Sequence, residues 1–152
     1  MTRKTARQIA VQLLFSMEAN ALSADEALSL FFSPGHYESL GAEDAGFEEE
    51  ADENAVSYIR RLTEAVSEHR EELDNAISRY ARGWKTERLS AATRTILRTA
   101  LCEILFFDDV PDSAAINEAV ELGKTFDSPE AAAFINGVLG SFLRAEKPAQ
   151  AE

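Results

Sequence analysis

Apolar residues along this chain recur three and four positions apart far more often than they alternate, and that spacing marks helices that bury one face. It is clearest in segment 92–107, where Ile96, Leu97, Ala100, Leu101, Ile104 and Leu105 form a stripe too long and regular for a buried strand. Cys102 falls just off this stripe and is expected to be a partly buried structural thiol. The last helix announces its start with Ser128 as N-cap and Pro129 at the first helical position, where the missing N–H of proline costs nothing. Its apolar face is Phe134, Ile135, Val138, Leu139 and Phe142. Between the two lies a shorter helix, Ser113 to Phe126, which buries Ile116, Ala119, Val120 and Gly123, and Pro111 forces the break before it.

Upstream, Ile9, Ala10, Leu13, Leu14 and Met17 recur at helical spacing. Ser23 with Glu26 forms a capping box for a short helix that ends before Pro34-Gly35. Residues 54–82 carry Ile59, Leu62, Val66, Leu73, Ile77 and Tyr80, with a break near His69 and Gly83 as the closing residue. Between Ser33 and Asn54 the periodicity fails, and residues 43–53 hold seven acids and no base, so 41–53 reads as a solvated, mobile acidic loop. Residues 146–152 read as a frayed tail. The pattern predicts an all-α protein of about seven helices with no sheet.

Length and charge narrow the picture. With 152 residues and 45% hydrophobic content the chain is of single-domain size, so 1–152 is expected to be one domain. The net charge of −12 argues against a general nucleic-acid binder, because nonspecific affinity comes from cations that neutralise phosphates. The average hides an asymmetry: residues 1–17 carry Arg3, Lys4 and Arg7 with no acid, a local charge of +3 against −15 for the rest. Any polyanion must be met locally.

A lone cysteine, Cys102, allows no intramolecular disulfide and favours the cytoplasm. The basic start, the apolar run Ile9 to Met17 and the triplet Ala19-Asn20-Ala21 imitate a signal peptide, but Gln8, Gln12 and Glu18 interrupt it in the manner of a folded amphipathic helix. No run of about 18 apolar residues exists to span a membrane.

The residues offer little chemistry. His36 and His69 stand far apart, and with one cysteine they give no metal-ligand spacing; no phosphate loop, nucleophile elbow or H-E-x-x-H is present. The expectation is a protein without catalysis, metal or cofactor. Glu118 and Glu121, three apart on one helix, read as solvent-facing charges or helix ties before they read as an acid/base pair. Asn117 and Asn136 are expected to tie helix to helix, and Gly137 to admit close approach of another helix. Trp84 reads first as packing at a helix junction and second as a stacking or docking side chain.

Three blocks stand in order along the chain: RKTARQIAVQLLFSME, then ILRTALCEILFFDDVP, then INEAVELGKTF followed by FINGVL. As an ordered set they resemble the NusB family of bacterial transcription antitermination factors. The resemblance implies two small helical bundles packed together and no enzymatic activity. It further implies pairing with the ribosomal protein NusE, joint binding of boxA-type single-stranded RNA in nascent ribosomal RNA, and service to an RNA polymerase elongation complex with other Nus factors. On that footing Arg3, Lys4 and Arg7 are candidates for phosphate contact, and Tyr80, Arg82, Lys85, Phe134 and Asn136 for contact with bases. The chain departs from the family pattern at Phe15, where tyrosine is usual, at Thr93, where an acid is common, and at Cys102 and Gly140. The competing readings are a helical protein adaptor that binds no RNA, and the helical RNA-binding module that precedes ribosomal RNA cytosine methyltransferases.

Overall fold

The computed structural model describes residues 1–33, 53–82, 84 and 86–147. Among these residues there are seven α-helices and no strand, and the chain divides into two compact units, Met1–Ser67 and Glu68–Glu152. His36 and nearly all of the acidic loop lie outside the described residues.

The first unit holds α1 (Arg3–Asn20), α2 (Ala24–Phe31) and α3 (Glu53–Glu68), the last of which runs one residue beyond it. Thr2 caps α1, its hydroxyl accepting from the Thr5 N–H at 3.1 Å. Ala6, Ile9, Ala10, Leu13, Leu14 and Met17 bury one face, so the segment that imitates a signal peptide is a core helix. Ala21 ends α1 with a left-handed φ of 52° and an N–H bonded back to the Met17 carbonyl. Ser23 and Glu26 then make the expected capping box at 3.1 Å in each direction. Asp25 of α2 accepts from Arg60 of α3, which ties those two helices at the surface.

The second unit holds α4 (Arg70–Tyr80), a 3₁₀ turn at Thr86–Arg88, α5 (Ala91–Phe106), α6 (Asp112–Phe126) and α7 (Pro129–Glu146). The break expected near His69 separates α3 from α4. Every α5 residue from Thr95 to Ile104 is buried, so the helix is enclosed on all sides, and Cys102 is fully buried where a partly buried thiol was expected. The stripe overruns its core at the other end, where Leu105 is 38% exposed. Arg98 of α5 grips Asp74 of α4 with two bonds, Nε to Oδ1 at 2.7 Å and Nη2 to Oδ2 at 3.0 Å.

Helices α6 and α7 form a hairpin across Asp127 and Ser128. Ser128 caps α7 with Pro129 behind it, as the sequence predicts, and Gly123 explains how close the helices come. A side-chain carbon on Gly123 would stand 2.9 Å from Ile135 Cδ1 and 3.1 Å from the Ala132 backbone. The tail holds longer than expected: Glu146 accepts from Arg79 and Tyr80, and Lys147 pairs with Asp112 at 2.9 Å, while residues 148–152 lie outside the described set.

Candidate nucleic-acid interface

The end of α4 turns sooner than the sequence predicts. The helix stops at Tyr80, Arg82 takes a left-handed φ of 46°, and the Trp84 N–H donates to the Ala81 carbonyl at 3.2 Å, which closes a tight turn. Gly83, expected as the closing residue, and Lys85, a candidate for RNA contact, both lie outside the described residues. Just beyond, Thr86 is buried and anchored to α4, its hydroxyl 3.3 Å from the Asp74 carbonyl and 3.2 Å from the Ser78 hydroxyl. Asp74 is also the partner of Arg98, so the turn hangs on the α4–α5 clamp.

This turn forms one wall of a cleft of about 440 Å³, with Tyr80, Ala81, Arg82 and Trp84 facing Phe134, Gly137, Val138, Ser141 and Arg144 of α7. Three aromatic side chains and two arginines line it among the described residues. Trp84 is 54% exposed, which corrects the packing role expected first for it. Phe134 is half-buried at the edge of the apolar face of α7.

Tyr80 packs edge-on against Phe142 with ring centroids 5.7 Å apart, and its hydroxyl donates to Glu146. That bond to a carboxylate, helped by desolvation, pushes the phenol above its ordinary value near 10.

Of the candidates on this unit, Tyr80, Arg82 and Phe134 come together around the cleft. Asn136 does not line it; it is exposed, as is Asn117, and no hydrogen bond joins the two, which corrects the expected helix tie. Gly137 is corrected as well, since a side-chain carbon there would meet nothing within 4 Å and no second helix presses on it. Glu121 pairs with Lys124 at the surface at 3.4 Å, a solvent-facing charge. Thr93, which stands where the family commonly has an acid, donates to the Asp127 carboxylate at 2.9 Å, so an acid reaches that spot from the α6–α7 link.

A second cleft on the same unit, of about 600 Å³, has the opposite character. Glu68, Glu71, Glu72 and Glu146 line it together with His69, Asn75, Ala76, Arg79, Leu105 and Phe142. His69 stacks on Phe106 with centroids 4.2 Å apart.

In the first unit the basic cluster splits. Arg3 and Lys4 are exposed on the first turn of α1, which carries no acid, and the Arg3 guanidinium lies 4.0 Å over the ring of Tyr58. Arg7 is only 4% exposed and 6.0 Å from the same ring, so it belongs to the packed interior. Its spacing to Ala10, Val11 and Leu14 could have indicated this, since all four lie along one side of α1.

Comparison with known proteins adds lineage to this geometry. A sequence profile of the NusB family matches residues 4–144. The chain is 40% identical over 149 residues to the transcription antitermination protein NusB of Symbiobacterium thermophilum, covering 98% of this chain and 94% of that one. It is 37% identical to the protein of that name from Myxococcus xanthus, covering 90% and 91%. Among solved structures it is similar to NusB of T. maritima, with a TM-score of 0.75, 26% identity and coverage of 99% and 96%. It also matches a chain from a complex of the antitermination factors NusB and NusE with double-stranded RNA, with a TM-score of 0.74, 23% identity and coverage of 94% and 96%. Among the described residues no helix is long and apolar enough to cross a membrane.

Proposed function

Because the chain belongs to the NusB family, we propose that it serves transcription antitermination as an RNA-binding subunit without chemistry of its own. In this reading it pairs with NusE, the pair holds boxA-type single-stranded RNA in nascent ribosomal RNA, and the bound complex helps RNA polymerase, with other Nus factors, resist termination in the cytoplasm. The observation that carries the reading is the cleft between the Tyr80–Trp84 turn and α7, whose described lining sets two arginines among three aromatic side chains in a chain of net charge −12.

Unpaired bases are held by stacking on aromatic and guanidinium planes, and the cleft offers Tyr80, Trp84 and Phe134 beside Arg82 and Arg144. Arg3 and Lys4 add phosphate contacts from the first turn of α1, where the helix dipole favours anions. So few cations give modest affinity in an acidic protein, and a basic partner that completes the site follows from the same arithmetic. A structural relative solved in complex with NusE and double-stranded RNA supports the pairing with NusE and with RNA.

The test is a titration of boxA-type and scrambled single strands into this protein, NusE and their mixture at one salt concentration. The mixture should bind boxA-type RNA more tightly than either protein alone, and by linkage RNA should tighten the protein pair by the same factor. If the mixture binds no better than its better component, the shared site fails and the adaptor reading takes its place.

A further inference from the structure

Gly137 sits in the middle of α7, exposed, with empty space where its side chain would be. Glycine inside a helix weakens it relative to alanine, because more backbone freedom is lost on folding. At Gly123 close packing of α6 on α7 explains the residue; at Gly137 nothing in the unit does. What distinguishes Gly137 is its place in the cleft. Phe134 precedes it by three positions and Ser141 follows by four, so the three lie on one side of α7 and form the floor of the cleft with Gly137 bare between the other two.

We infer that Gly137 is a binding determinant: its missing side chain keeps the floor open so that one unpaired RNA base can lie against the α7 backbone beside Phe134 and Trp84. The inference rests on the RNA reading of the cleft. An RNA strand is the occupant because the cleft complements it twice, with arginines at Arg82 and Arg144 for the phosphates and aromatic faces for the base. Glycine serves ligands in this way wherever a backbone must be approached closely.

The experiment separates folding from binding by their opposite signs. Gly137→Ala should raise the melting temperature by about 3 °C, since it adds helix propensity without a clash, and weaken binding of labelled boxA-type RNA to the mixture with NusE by about threefold. Gly137→Leu should melt no lower than the parent yet bind RNA at least about tenfold more weakly. Trp84→Ala in parallel tests the cleft itself, with an expected loss of about tenfold.

If Trp84→Ala loses affinity and Gly137→Leu keeps it, RNA uses the cleft without needing a bare floor, and the inference is overturned. If both variants bind like the parent, the cleft does not hold RNA and the underlying reading falls with it. If Gly137→Leu weakens NusE association in the absence of RNA, the floor belongs to a protein contact, which overturns the inference while leaving the family role intact.

Discussion

Two clefts open on the Glu68–Glu152 unit, and α4 and α7 supply residues to both, yet they carry opposite charge. One sets Arg82 and Arg144 among three aromatic rings; the other sets four glutamates over Leu105 and Phe142. Tyr80 lines the first and donates to Glu146, which lines the second. The contrast shows that a net charge of −12 describes neither surface. Salt screens exposed charges beyond about 8 Å, so an anion bound in the arginine cleft would respond to its own walls and to Glu146, which touches Tyr80.

The harshest way to break the comparison is to loosen the helix that both clefts share. Asp74→Ala removes the bidentate carboxylate from a guanidinium that is only 6% exposed, and should cost about 3 kcal/mol in urea unfolding. A loss below about 1 kcal/mol would mean that α4 is held by its apolar face alone.

The next test carries the contrast of buried and exposed charge to the first unit. Arg7→Ala should destabilise by about 2 kcal/mol, because a buried guanidinium is lost, while the double change Arg3→Ala with Lys4→Ala should leave the melting temperature nearly unmoved and weaken RNA binding. Equal melting shifts for the two variants would show that burial does not separate these cations.

Sharpening the comparison itself takes paired substitutions. Arg82→Ala with Arg144→Ala should weaken single-stranded RNA binding about tenfold and lower the slope of log K against log salt by about 1.4. Glu71→Gln with Glu72→Gln, a charge change of the same size and opposite sign in the other cleft, should shift affinity by less than about twofold and leave the slope alone. A gain in affinity as large as the loss from the arginine pair would mean that total charge governs binding.

The smallest effect is expected at Tyr80. Its folded-state pKa is raised by the bond to Glu146, so the stability this bond contributes is present below the ordinary value near 10 and is lost as pH rises through the raised one. Tyrosinate absorbance should therefore show a late-titrating component that is lost in Tyr80→Phe. A Tyr80→Phe titration that loses only an ordinary phenol would remove that bond from solution.

The helices were legible because their signals are local. Ser23 with Glu26, Ser128 with Pro129 and the stripe from Ile96 to Ile104 act within a few residues, and the structure builds each as the spacing predicts. Of the proposed contact residues, Tyr80, Arg82 and Phe134 converge on one cleft, whereas Asn136 stays outside it. What escaped depends on neighbours distant in sequence. Gly123 and Gly137 look alike in a helical pattern, and only the facing helix tells a packing glycine from an open one. Trp84 belongs to no periodic segment, so its exposure had no pattern to announce it.

Arg82 is held at a φ of 46°, a region where side chains other than glycine and asparagine are strained. Folding alone therefore favours glycine at this position, and the proposed RNA role of the guanidinium is what would oppose it. In a lineage released from nucleic-acid binding, Arg82 should be among the first residues of the cleft to drift, ahead of Phe134, whose half-buried ring still serves the fold.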